Sequence, residues 1–166
     1  MKADKVYLVG FMGAGKTSVG RALARRLDWQ FADIDELIEK REHLSVADIF
    51  AKQGEPYFRG IERAVLAEQL PLRHTVVATG GGTFVDLQNR ALIKADGAVV
   101  WLDAPLDRVI ARIPQDGRRP LASDRANLER LFLARRPAYE QAHLRLDAGR
   151  AAVEALVDQL VDWLEA

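Results

Sequence analysis

Residues 10–17, Gly-Phe-Met-Gly-Ala-Gly-Lys-Thr, match G-x-x-x-x-G-K-[ST] without a mismatch. In that pattern the glycines let backbone N–H groups converge on phosphate oxygens, Lys16 reaches the β- and γ-phosphates, and the Thr17 hydroxyl is a magnesium ligand. An apolar run at residues 6–9 precedes it and an amphipathic helical pattern opens at Lys16, whose positive end would face the anion. That context separates a phosphate loop from a glycine-rich turn before a helix. A second feature lies in Phe-Ala-Asp-Ile-Asp-Glu-Leu. Asp33 and Asp35 stand two residues apart on what reads as an extended segment, so both point the same way. Two carboxylates beside a phosphate loop suit one acid on the metal side and one on the acceptor side. Helix capping accounts for Asp33 but not for the pair.

A third feature is Val-Val-Ala-Thr-Gly-Gly-Gly-Thr-Phe, residues 76–84. Many phosphate-loop proteins end such a strand in an acid that holds magnesium. Gly80, Gly81 and Gly82 hold that place here, so the metal's carboxylate lies elsewhere and something approaches the backbone closely. Asp103 ends another apolar run, but Pro105 follows, and helix capping is the simpler reading for it. No lysine follows Lys94, while arginines outnumber acids across residues 108–150. Arginine outnumbers lysine elsewhere too, so composition explains part of this. A guanidinium fork nevertheless matches carboxylate and phosphate, and a few of these arginines could grip anions.

The elements that must position these groups alternate. Strands are expected at residues 6–9, 29–32, 75–78, 98–102 and 144–146. Helices are expected at 16–27, 35–41, from Ser45 to about Gly54, 56–70, 86–94, from Pro105 onward, and 151–164. Between 125 and the last strand two helical stretches are expected, broken at Pro137. Such alternation argues for a parallel sheet covered on both faces. Residues 113–124, Ile-Pro-Gln-Asp-Gly-Arg-Arg-Pro-Leu-Ala-Ser-Asp, carry turn formers and no periodicity, as a mobile lid would.

The chain has 166 residues, a single domain's length, and a formal net charge of zero, which points to no nucleic-acid partner. It holds no cysteine, which excludes disulfides and thiolate metal sites. No apolar run is long enough for a signal peptide or a membrane span, so a cytoplasmic protein is the default expectation. Three classes fit a phosphate loop: a small-molecule kinase, a GTPase switch, and a nucleotide-binding module without catalysis. A GTPase would read guanine with Asn/Thr-Lys-x-Asp. The nearest match, Ile93-Lys94-Ala95-Asp96, has isoleucine where the amide belongs and precedes a strand instead of following one.

Residues 10–27, Phe31–Glu39, Ser45–Glu62, Thr79–Phe84, Gly117–Leu121 and Arg135–Tyr139 together occur in the order and spacing of shikimate kinases, and the chain resembles that family over roughly residues 6–147. The resemblance implies an α/β fold of the nucleoside-monophosphate-kinase type, three layers around a five-stranded parallel sheet in order 2-3-1-4-5. It implies a magnesium-dependent transfer of the ATP γ-phosphate to the 3-hydroxyl of shikimate, in the route to aromatic amino acids, by a monomer. A gluconate-type or nucleotide kinase is the alternative. By the resemblance Gly13, Ala14, Gly15, Lys16, Thr17 and Ser18 bind ATP, Arg112 stacks on adenine, and Arg119 meets the phosphates from the lid. Thr17 and, through water, Asp33 hold magnesium. Asp35 is the base for the reacting hydroxyl. Arg59 and Arg135 clamp the substrate carboxylate, and Gly80, Gly81 and Gly82 lie against the substrate, within an acceptor region near residues 33–61. Lys16, Asp35 and Arg119 form the implied catalytic set. Two points bear on these readings. Arg59 can also pair with Glu62 on its own helix, and Arg118, Arg125 and Arg136 read as solvated surface charges. The segment after the last strand, Asp147-Ala-Gly-Arg-Ala-Ala-Val-Glu-Ala-Leu, runs almost directly into the final helix, which limits what it can offer an adenine.

Overall fold

The computed structural model describes residues 1–112 and 125–166; the expected lid at 113–124, with Arg119, lies outside the described residues. Five strands form one sheet: β1 (Lys5–Val9), β2 (Gln30–Asp33), β3 (Thr75–Ala78), β4 (Ala98–Asp103) and β5 (Leu144–Asp147). They are all parallel and lie in the order β2-β3-β1-β4-β5. β1, β3 and β4 are buried along their whole length, which explains why they read as continuous apolar runs. The core is built from their Val and Leu side chains, with Tyr7 and Trp101, and from the inner faces of the surrounding helices.

The helices are α1 (Lys16–Leu27), α2 (Ile34–Glu42), α3 (Val46–Gln53), α4 (Glu55–Gln69), α5 (Leu87–Asp96), α6 (Leu106–Arg112), α7 (Arg125–Tyr139) and α8 (Val153–Glu165). Their starts follow the capping chemistry of the sequence. Asp33, Ser45 and Asp86 accept from the backbone N–H of Glu36, Asp48 and Asn89, and Pro56 sits in the first turn of α4.

One expected break is absent. Pro137 lies inside α7, which runs on to Tyr139. A proline there forfeits one backbone hydrogen bond near the end of the helix. Ala138 and Tyr139 are buried at 6% and 1% exposure, and burying them keeps the helix going.

Strand order decides what meets what. β2, β3 and β1 are neighbours, so the segments leaving their carboxyl ends stand side by side: Asp33 after β2, the glycine turn after β3, and the phosphate loop after β1. Ligands of open α/β sheets bind at these ends.

Candidate active site

The three segments enclose a cavity of about 410 Å³, lined among others by Gly13, Lys16, Thr17, Asp33, Asp35 and Gly80. At its floor the phosphate loop turns at Gly15, whose φ of 100° is left-handed backbone that suits glycine. α1 begins there with no side-chain cap, so its first N–H groups are left for an anion. The Lys16 ammonium donates to the Gly10 and Phe11 carbonyls at 2.5 and 3.0 Å, folded along its own loop. The Thr17 hydroxyl donates to Asp33 Oδ2 at 2.7 Å, while Asp33 Oδ1 accepts the Glu36 N–H of α2. Arg112, at the end of α6, donates to the Gly13 and Ala14 carbonyls at 3.3 and 3.4 Å, which puts its guanidinium at the rim of the loop. Gly13, Ala14, Gly15, Lys16, Thr17, Ser18 and Arg112 all line the one cavity.

The two acids are arranged differently from the expectation. Asp33 ends β2 and caps α2, but Asp35 lies in the first turn of that helix, so the pair does not share one extended face. The cap at Asp33 starts the helix one residue too early for that. Both nevertheless line the cavity.

The glycine turn gathers three charged side chains. None of Gly80, Gly81 and Gly82 has a positive φ, so backbone conformation does not require glycine at these positions. Space does. A Cβ on Gly80 would lie 2.7 Å from Asp35 Oδ1, and one on Gly81 would lie 2.9 Å from Arg135 Nη1. On Gly82 it would lie 2.6 and 2.7 Å from the Nη2 and Nη1 atoms of Arg59. Each glycine thus makes room for the charged end of one side chain, drawn from α2, α7 and α4 respectively.

Behind the turn, Glu62 is 1% exposed and accepts twice from Arg59, at 3.0 and 3.2 Å. The Thr83 hydroxyl donates to Glu62 at 2.8 Å and accepts the Gly80 N–H at 3.0 Å. Arg59 is therefore held by the same carboxylate that ties down the turn it leans on. The pairing of Arg59 with Glu62 was readable from their helical spacing; the tie through Thr83 was not, because it crosses between elements. Arg135 is 6% exposed. Burial, and the nearby Arg59 cation, hold its basicity below the usual arginine level. The two guanidiniums rest on neighbouring glycines, Arg59 is paired with Glu62 and Glu55, and the repulsion felt by Arg135 favours an anion at this place.

Two further residues differ from their expected roles. The Asp103 carboxylate is held by Arg136 at 2.9 and 3.3 Å and by Arg145 at 2.8 Å, an ion-pair cluster in place of the expected cap on α6. Arg136 is accordingly no solvated surface charge: its guanidinium also lies over the Trp101 and Phe132 rings. Burial pushes the Asp103 carboxyl up, but the hydrogen bonds from the two arginines outweigh it and leave the group below the ordinary carboxylate range.

Comparison with known proteins shows the family. The family model described as shikimate kinase matches residues 12–165. The chain belongs to the shikimate kinase family. It is 40% identical over 157 residues to a shikimate kinase of Persephonella marina, covering 94% of this chain and 96% of that one. A shikimate kinase of Chromobacterium violaceum is 44% identical over 166 residues, 98% of this chain and 90% of its own. Among solved structures, a shikimate kinase from Acinetobacter baumannii in complex with shikimate superposes with a TM-score of 0.94 at 36% identity, covering 98% of this chain and 93% of that chain. The fold and strand order are those expected of this kinase type. Among the described residues, no helix is long and apolar enough to cross a membrane.

Proposed function

We propose that this shikimate kinase family member transfers the γ-phosphate of ATP to the 3-hydroxyl of shikimate, giving shikimate 3-phosphate and ADP. One observation carries the reading: two guanidiniums and one carboxylate, seated on three consecutive glycines, stand beside a phosphate loop. Shikimate has a carboxylate for the first two and a hydroxyl for the third.

In this reading Arg59 and Arg135 bind the substrate carboxylate, and binding energy spent there orients the ring. Asp35 accepts the proton of the reacting hydroxyl as the oxygen attacks phosphorus. The α1 N-terminus and Lys16 hold the phosphates, with Lys16 leaving the Gly10 and Phe11 carbonyls for phosphate oxygens. Arg112 covers the nucleotide side of the loop. Arg119, from outside the described residues, completes the cations around the phosphates.

The donor set fits magnesium. Thr17 Oγ1 and Asp33 Oδ2 are hard oxygen atoms 2.7 Å apart at the phosphate end of the cavity. Among the described residues no cluster of three or more His, Cys, Asp or Glu side chains forms a cage. That suits an ion that keeps its waters and is shared with substrate phosphates. Thr17 would bind the ion directly and Asp33 through water; when bound it neutralises charge on the β- and γ-phosphates.

The test is an ADP-release assay with ATP, magnesium and shikimate, shikimate methyl ester, gluconate, AMP or no acceptor. Shikimate should turn over and the ester should be a poor substrate. Equal use of acid and ester refutes the carboxylate clamp; turnover with AMP or gluconate alone refutes the acceptor.

A further inference from the structure

Tyr139 belongs to none of the groups assigned above, yet it touches two of them. It lies one helical turn after Arg135 on α7, is 1% exposed, and packs its ring 5.9 Å from that of Trp101. A core aromatic would need no more than that. Its hydroxyl, however, donates to the Gly81 carbonyl at 2.6 Å, the same glycine on which the Arg135 guanidinium rests. A phenol has one proton to give. That proton is committed to Gly81, which pins the turn to α7.

Arg135 is nearly fully buried, and a buried guanidinium is costly unless its N–H groups are partnered. Gly81 provides the space in which Nη1 rests, since a Cβ there would be 2.9 Å from it. The Phe11 ring lies under it, 5.8 Å from the guanidinium carbon. Tyr139 therefore holds the peptide against which the guanidinium rests.

We propose that Tyr139 is a positioning residue for acceptor recognition: its hydroxyl ties α7 to the glycine turn and orients Arg135 toward the substrate carboxylate. The inference rests on the reading of Arg135 as half of the carboxylate clamp. Burial also pushes the phenol up to about 12, so the hydroxyl stays protonated and keeps this direction throughout the working pH range.

The test is a cycle of wild type, Tyr139→Phe, Arg135→Lys and the double variant, each assayed for both substrates and checked by thermal melting. Tyr139→Phe removes one oxygen and leaves the ring in the core. It should raise the KM for shikimate about tenfold, the scale of one charged hydrogen bond. The KM for ATP should stay within about twofold. In the Arg135→Lys background the same change should matter much less, because the fork it orients is gone. If Arg135→Lys leaves the shikimate KM unchanged, the clamp reading itself fails. If Arg135→Lys raises it but Tyr139→Phe does not, or if the two effects simply multiply, the positioning role is overturned. Equal rises in both KM values would mark a merely structural residue and also overturn it. A measurement on the unmutated chain covers a Tyr139→Phe protein that does not fold. With ¹³Cζ-labelled tyrosine, the Tyr139 signal should shift on adding shikimate but not its methyl ester. A signal that ignores shikimate refutes the proposal.

Discussion

Gly82→Ala should separate affinity from stability. The new methyl would lie 2.6 Å from Arg59 Nη2, 2.7 Å from Nη1 and 2.8 Å from Cζ. Ordinary contact begins near 3.4 Å, so the guanidinium must retreat by about 0.8 Å. Gly82 has no positive φ, and the atoms it displaces are the far end of a flexible side chain, so the fold can absorb the change. The melting temperature should fall by no more than a few degrees, the effect of about 0.5–1 kcal/mol. Binding cannot absorb it, because the guanidinium that must meet the acceptor carboxylate is displaced from the turn on which it rests. Losing one charged hydrogen bond to the acceptor costs about 1.5–3 kcal/mol, so the KM for shikimate should rise roughly ten- to over a hundredfold with the KM for ATP unchanged. Initial rates at varied shikimate and at varied ATP, with a thermal melt of the same preparation, measure all three. An unchanged shikimate KM in a folded variant would show that Arg59 does not need its place on Gly82. A protein that no longer folds would show that space at Gly82 serves the fold and not the site.

Other perturbations follow from the same geometry. Lys16→Met should keep the fold and remove most turnover, and a folded variant with near-normal kcat would sink the phosphate-loop role. Asp35→Asn should lower kcat by about 10²–10⁴-fold, as removal of a general base does, with the KM for ATP largely spared. Asp33→Asn should keep α2, since asparagine caps as well as aspartate, but should need more magnesium; an unchanged magnesium titration would contradict the metal-side role. Asp103 contributes stability that is present above the ordinary carboxylate value of about 4 and is lost as pH falls through its depressed folded value. Asp103→Asn should therefore lower the melting temperature at pH 7 and flatten its further fall on acidification, read from melts between pH 3 and 7.

The sequence was most legible where periodicity and capping act within one element. α1 and β3 have the expected limits, and the caps at Ser45 and Asp33 are where the residue types put them. It was less legible where a choice depended on tertiary contact. Pro137 signals a break that the burial of Ala138 and Tyr139 overrides. Asp35 lies in the first turn of α2, which starts at Ile34 and not after the second acid. Arg136 looks like any surface arginine until Trp101, Phe132 and Asp103, each distant in sequence, close around it. The glycine run announced a close approach but not what approaches. Only the fold reveals that Asp35, Arg135 and Arg59 each take one glycine.

The two halves of the site also differ in how much of the chain each requires. The phosphate loop is a contiguous stretch hung between the central strand and its following helix, on the most deeply buried part of the sheet. The proposed acceptor side is assembled from α2, α4 and α7, brought together on a single turn. Local opening starts at such peripheral elements and spares the centre. Nucleotide capture is therefore the more rugged property, and acceptor recognition the one lost first under mild denaturant or heat. A partly opened molecule would still hold ATP yet offer the phosphate no proper recipient, so a worn enzyme falls silent by losing its choice of acceptor before it loses its fuel.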